Sequence, residues 1–227
     1  MTIKLFIKNV HDRIFGSTTT IRKKHLLNFL PDDAIVFEAG AHIGRDTVEL
    51  AQLFKRGCVY AFEPIPDLYT QLTHNTKDFK NIRCFLLAIG DRTGIQQMVV
   101  SSGASDASSS LLEPNEHMDV YPEVLFDKHT EVNVTTIDDW IISNHISRLD
   151  FMWLDLQGME LLALSHGEQT LKMVKAVYME VSRKELYHGQ GTYEKTIERM
   201  KEYGFSVGKE FFGDELEGNI LFVKRSL

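Results

Sequence analysis

The sequence predicts an α/β domain in three layers, with helices on both faces of a mostly parallel sheet. Three observations carry that reading. From Ala34 onward, short apolar runs alternate with amphipathic segments. The first run ends in a glycine-bearing turn, Glu38-Ala39-Gly40-Ala41-His42-Ile43-Gly44. The second, VYAFEP over 59–64, closes on a carboxylate, Glu63. Strands separated by helices of crossover length build parallel sheets with right-handed connections.

The elements follow in order. Residues 1–30 read as a helical extension, with an apolar stripe through Leu5, Ile7, Val10 and Ile14 and a second short helix over 25–30 stopped by Pro31. Residues 31–227 read as one domain. Strands are expected over 34–40, 58–64 and 82–90, with helices over 45–55 and 67–77, the latter started by Pro66. The stretch 91–130 breaks the rhythm and reads as an insertion. Its serine-rich segment 101–110 has the composition of a flexible loop or a lid. Further strands are expected over 132–136, 149–158 and 174–182, helices over 159–164 and 193–203, and a terminal hairpin from 204–212 and 218–225.

Bulk properties narrow the function. The chain has 227 residues and a net charge of −7, which disfavours a protein that tracks nucleic-acid phosphates, so no nucleic acid is expected as partner. Two cysteines, Cys58 and Cys84, sit in strand-like runs and read as buried free thiols in a reducing compartment. No unbroken signal-type apolar core and no run long enough for a membrane span occur, so the expected location is the cytoplasm. No GxSxG elbow follows a strand, which argues against a serine hydrolase.

The turn and Glu63 point to an adenosine cofactor. Gly40 permits a sharp turn, Gly44 a close helix packing, and His42 and Ile43 lie between them at a helix start. A carboxylate ending the second strand can accept both ribose hydroxyls. NAD and S-adenosylmethionine share this geometry. NAD wants glycine at the middle position for its pyrophosphate, where this chain has His42. The leading acid, Glu38, suits a cofactor bearing an ammonium group. Both features favour S-adenosylmethionine, with an NAD-dependent oxidoreductase as the competing reading and a non-catalytic cofactor-binding protein as a third.

With those residues in view, the chain resembles the FkbM-type methyltransferases. The resemblance runs over about 34–223, through FEAGAHIGRDT (37–47), VYAFEP (59–64), LLAIGD (86–91), SSSLL (108–112), VTTIDDW (134–140), LDFMWLDLQGMELLAL (149–164), AVYMEVS (176–182), 185–205 and GNILFV (218–223). It implies a class I methyltransferase (Rossmann-like) with a seven-stranded, mostly parallel sheet and an antiparallel C-terminal strand. It also implies methyl transfer to a hydroxyl of a sugar, glycan or secondary metabolite. Two positions depart from the family pattern. His42 stands where Asn is typical, and Gln157 stands where the Asp-x-Glu-Gly motif carries Glu.

The expected site gathers at the carboxyl ends of the strands. Glu38, Gly40, His42, Ile43, Gly44, Glu63, Pro64, Asp91, Ser109 and Asp155 are the expected cofactor residues. A hydroxyl acceptor must lose its proton, which calls for a base or a metal. Asp155 and Glu180 are the expected carboxylates, as base or as ligands of a divalent ion such as Mg, with His188 the best placed of the loop histidines. Asp155 has a structural alternative as a helix N-cap. The oligomeric state is open, a homodimer being one option.

Overall fold

The computed structural model describes residues 21–212 and 216–225. The helical reading of residues 1–20 therefore lies outside the described residues. From Ile21 the chain enters a 3-10 helix, Lys23–Asn28, which buries Leu26. The later elements are β1 (Ile35–Ala39), α1 (Arg45–Leu53), β2 (Cys58–Phe62), α2 (Pro66–Thr76), β3 (Ile82–Phe85), β4 (Ala88–Ile89), β5 (Gly94–Gly103), α3 (His117–Val120), β6 (Val124–Thr135), α4 (Ile137–Ser143), β7 (Phe151–Leu154), α5 (Glu160–Ser165), α6 (Glu168–Leu171), β8 (Ala176–Ser182), α7 (Tyr193–Glu202), β9 (Phe205–Phe211) and β10 (Glu217–Lys224).

Seven strands form one sheet in the order β3-β2-β1-β7-β8-β10-β9. The pairs β3–β2, β2–β1, β1–β7 and β7–β8 are parallel, and β10 runs antiparallel to both neighbours. The chain therefore has the fold of a class I methyltransferase. The sequence of β7, Phe-Met-Trp-Leu, is buried at every position, as a central strand covered on both faces requires.

Each face has its own core. On one side Phe37, Phe62, Met152 and Leu154 meet Trp140 of α4, Leu164 of α5 and Met200 of α7. Trp140 is the hub, packing edge-on to Phe62 at 4.9 Å and Phe37 at 5.7 Å between ring centroids. Edge-to-face pairs of this kind each add about 1 kcal/mol beyond the area they bury. On the other side Val36, Val59, Phe151 and Trp153 meet Leu50 of α1, Leu72 of α2 and Leu26. Local chemistry sets the helix starts: Pro66 opens α2, and the Thr136 hydroxyl accepts the Asp139 N–H at 3.1 Å to cap α4.

Three expectations need correction. Residues 82–90 are not one strand. The chain leaves the main sheet after Phe85, exposes Leu86, and rejoins a second sheet as β4. The reason is that Leu87, Ala88 and Ile89 wall a cleft and cannot also continue β3. In the inserted region, where no strand was expected before 132, β5 and β6 form a long antiparallel ribbon, and β4 adds to β6 in parallel. Its serine segment is ordered, with Ser109 Oγ accepting the Ser101 N–H at 3.0 Å and Ser101 Oγ accepting the Ser108 N–H at 2.9 Å. Finally, Cys58 and Cys84 are free but only partly buried, and Cys84 Sγ contacts the Thr76 hydroxyl at 3.4 Å. Among the described residues no helix is long and apolar enough to cross a membrane.

Candidate active site

Strand register assembles the site. Ala39 of β1 pairs with Phe62 of β2 and with Leu154 of β7, and Leu154 pairs with Met179 of β8. The residues one step further, Gly40, Glu63, Asp155 and Glu180, therefore stand together at one edge of the sheet. A cleft opens there. Gly40, His42, Glu63, Pro64, Ser109 and Asp155 line it, as do Ile65, Leu68, Leu87, Ile89 and Met98 from its apolar end.

Gly40 earns its place by geometry. Its φ is +86°, and a Cβ there would fall 1.8 Å from the Asp155 carbonyl oxygen. The next turn, at Gly44 (φ +85°), opens α1, and a Cβ there would meet Leu72 Cδ1 at 2.7 Å. Between them His42 adopts φ +50° and donates its backbone N–H to Glu63 Oε2 at 2.9 Å. Ile65 N–H donates to Glu63 Oε1 at 2.9 Å. Two backbone donors thus orient one buried carboxylate, each oxygen keeping a further lone pair for a ligand hydroxyl. Burial pushes the Glu63 pKa up to about 7, against the pull of those two N–H groups.

Glu38 sits apart from the cleft. The residue is 1% exposed, and among the described residues neither carboxyl oxygen meets a partner at full hydrogen-bond geometry. Burial pushes its pKa up to about 8, with the Thr47 hydroxyl of α1 opposing more weakly. The sequence reading that put Glu38 on a ligand ammonium group meets a carboxyl enclosed behind the turn. Asp91 likewise does not line the cleft; it lies 3.8 Å from Arg92 on the turn before β5. Ile43 presents its carbonyl to Asn75 Nδ2 at 2.8 Å.

Beside the cleft, Asp155 and Glu180 come together through a residue the sequence reading did not use as a site residue. Gln157 donates from Nε2 to Asp155 Oδ1 at 2.7 Å and to Glu180 Oε2 at 2.8 Å. Asp155 is open to the cleft on one side. The surrounding protein raises its pKa first by desolvation, and the Gln157 amide opposes the rise. The Glu180 carboxyl is pushed well above its ordinary range by burial and then by Asp155, Glu217 and Glu160. Asp155 is not a helix cap: Met159 holds the N-cap position of α5, with no side-chain cap.

Three further residues were missed. Glu160, in the first turn of α5, is buried and accepts the Leu156 N–H at 2.7 Å, so its carboxyl folds the Leu156–Gly158 turn; a Glu at the start of a helix was the signal. Tyr187 is buried beside the site, its hydroxyl 2.8 Å from the Ser108 carbonyl and 3.3 Å from Gln157 Oε1. Its neighbour His188, expected as the best placed of the loop histidines, lies exposed with its backbone N–H on the Glu113 carbonyl and does not line the cleft. Asp106 reaches from the insertion to His42 Nε2 at 3.2 Å and bridges the cleft mouth. No sequence signal marked Asp106 or Tyr187, since both act across long separations.

Asp155, Glu160 and Glu180 offer oxygens all within 4.8 Å of one another, yet the Gln157 amide occupies the gap between the outer two. The donor set does not fit a divalent ion as it stands.

Comparison with known proteins agrees with this geometry. The family described as the Methyltransferase FkbM domain matches residues 38–207. The chain is 31% identical over 163 residues to the 2-O-methyltransferase NoeI of Sinorhizobium fredii, covering 70% of this chain and 67% of that protein. It is 24% identical over 206 residues to the AMB antimetabolite synthetase AmbE of Pseudomonas aeruginosa, covering 78% of this chain but 10% of the synthetase. The crystal structure of a methyltransferase FkbM from Methylobacillus flagellatus superposes with a TM-score of 0.59 at 16% identity, over 95% of this chain and half the length of that one.

Proposed function

The chain belongs to the FkbM methyltransferase family and is an S-adenosylmethionine-dependent methyltransferase, and from that premise we propose that it methylates a hydroxyl of a sugar, glycan or secondary metabolite. The observation that carries the proposal is the Asp155–Gln157–Glu180 bridge beside a cleft that Glu63, Asp155 and Gln157 line. The relatives' names support oxygen as the atom methylated and an antimetabolite assembly as one setting for the chemistry.

Bound S-adenosylmethionine supplies an electrophilic methyl group on a sulfonium. The chain's own residues do the rest. Glu63, oriented by the His42 and Ile65 N–H groups, accepts the two ribose hydroxyls. Leu68, Leu87, Ile89 and Met98 receive the adenine ring and exclude water from it. Asp155 takes the acceptor proton. Gln157 engages its Oδ1 and leaves Oδ2 for the incoming hydroxyl. The desolvation that raises the Asp155 pKa makes it a stronger base, which general-base catalysis favours. Holding the acceptor oxygen in line behind the methyl carbon supplies several kcal/mol of rate, about 7 or more in well-oriented systems. No step is routed through a divalent ion.

The test is a direct one. Calorimetry with S-adenosylhomocysteine and with NADH should give binding of the first alone. Incubation with S-adenosylmethionine and a panel of glycosides and hydroxylated metabolites should then yield a singly methylated product by mass. Binding of NADH in place of S-adenosylhomocysteine would sink the cofactor assignment. Methylation confined to nitrogen or carbon acceptors would sink the hydroxyl assignment.

A further inference from the structure

Three carboxylates within 4.8 Å of one another would ordinarily draw a hard cation, since Asp155, Glu160 and Glu180 each bring an oxygen. Here the space between Asp155 and Glu180 is taken by an amide nitrogen, at 2.7 and 2.8 Å. An amide NH2 has two hydrogens and gives one to each carboxylate; it has no lone pair to offer a metal. The orientation of the amide is set by its partners. Reversing it would press the carbonyl oxygen against two carboxyl groups and turn the NH2 group toward the Tyr187 hydroxyl. As it stands, that oxygen faces the Tyr187 hydroxyl at 3.3 Å.

The backbone holds the amide there. Gln157 adopts φ +51° and Gly158 φ +94°, so the turn is tight and costs conformational energy for the Gln. Its carbonyl accepts the Ser110 hydroxyl at 2.7 Å from the insertion. Glu160, the third carboxylate, is engaged by the Leu156 N–H and closes the same turn. A Cβ on Gly158 would meet Tyr187 at 3.1 Å, so the turn has little room to swing away. Three separate elements thus converge to place one neutral donor.

We propose that Gln157 is a positioning residue whose amide takes the place of a cation between Asp155 and Glu180, and that the carboxylate pair of this enzyme works without a divalent ion. The statement about metal binding stands on the donor set alone. The statement that the pair works in methyl transfer rests on the function proposed above. Removing the donor, or exchanging it for a carboxylate, should open the site to a cation.

The experiment is a Mn²⁺ titration followed by electron paramagnetic resonance and calorimetry on the full chain, with no cofactor or acceptor present. The wild type should show no saturable binding up to about 1 mM, the weak limit for protein sites of this class. Gln157→Glu should bind at least about tenfold more tightly than that limit, and adding Asp155→Asn should remove the gain. Where Gln157→Glu does not fold, as judged by circular dichroism, Gln157→Ala removes the donor without adding charge and should show the same gain. Methyl transfer by the wild type should be unchanged after EDTA, whereas Gln157→Glu should become EDTA-sensitive and be restored by Mn²⁺. A purely structural turn residue would produce no such metal-dependent rescue. Saturable Mn²⁺ binding by the wild type that is lost in Asp155→Asn overturns the proposal. So does a folded variant that binds Mn²⁺ no better than wild type. Loss of cofactor binding with the Mn²⁺ results intact would count against the methyl-transfer reading and leave the cation-substitute assignment standing.

Discussion

Gly40 and Asp155 approach so closely that a single methyl group on Gly40 would overlap the Asp155 carbonyl oxygen, at 1.8 Å. The contact is backbone against backbone, between the ends of two central strands, and neither strand can shift without breaking the Asp155 N–H bond to Ala39 at 2.9 Å. Gly40→Ala should therefore cost more than about 3 kcal/mol of stability, combining overlap with a φ that L residues disfavour. Chemical denaturation followed by circular dichroism checks this; a loss under about 1 kcal/mol would mean that the strand ends move freely.

Glu63→Gln should weaken S-adenosylhomocysteine binding by about 10- to 100-fold, the loss expected when charge-assisted hydrogen bonds become neutral ones. The pH dependence follows from its raised pKa of about 7. The carboxylate is the form that accepts both ribose hydroxyls, so below pH 7 binding must first remove a proton. Affinity should fall by up to tenfold per pH unit below about 7 and level off above it. Calorimetry at pH 6 and pH 8 measures the difference, which Gln at this position should erase.

Glu38 makes a prediction about stability. Its folded pKa of about 8 lies above the ordinary carboxyl value of 4.5. Between these values the unfolded chain has released its proton while the folded chain retains it, so stability falls as pH rises. Its contribution is fully favourable below about pH 4.5 and is lost by about pH 8. Glu38→Gln should flatten the slope of stability against pH in this window by up to about 1.4 kcal/mol per unit. Denaturant midpoints at pH 5, 6.5 and 8 test it, and parallel curves for variant and wild type would refute it.

The His42–Asp106 contact spans the cleft mouth between partly exposed side chains, 32% and 69% accessible. Such a pair adds little stability, under about 1 kcal/mol. Its effect should appear in kinetics. Asp106→Asn should speed cofactor release several-fold in stopped-flow measurements while leaving the denaturation midpoint within experimental error. A large change in stability with no change in release would assign the pair to the fold instead.

How far the sequence could be read depended on the range of the interaction. The strands β1, β2, β7 and β8 announced themselves as short apolar runs because both faces of each are covered. The pattern failed over 82–90, where the apolar run Cys84–Ile89 hides a change of sheet: Phe85 and Ala88 are both apolar but belong to different sheets. It failed again over β5, Gly94–Gly103, which mixes polar and apolar residues, is mostly not buried and is held by pairing to β6. In the site, Gly40 and Glu63 were legible because each is dictated by local geometry. Tyr187 and Asp106 were not, because they reach their partners Ser108 and His42 from 79 and 64 residues away. Gln157 was visible as a departure from a family pattern, but its double bond to Asp155 and Glu180 exists only once β7 and β8 are side by side.

The insertion is fastened to the loop after β8 by main-chain bonds as well as by side chains such as the Tyr187 hydroxyl on the Ser108 carbonyl and Asn115 Nδ2 on the Glu185 carbonyl. Asn115 N–H bonds the Leu186 carbonyl at 2.7 Å, His188 N–H bonds the Glu113 carbonyl at 2.9 Å, and Pro114 bridges Tyr187. Backbone bonds of this kind do not read side-chain identity. Residues on the outer surface of that clasp are free to change without loosening it, provided the buried Tyr187 and His117 beside it are kept. The roof of the cleft is thereby evolvable separately from its floor. Substitutions can accumulate above an anchored frame while the strand ends at Gly40, Glu63 and Asp155 stay as they are.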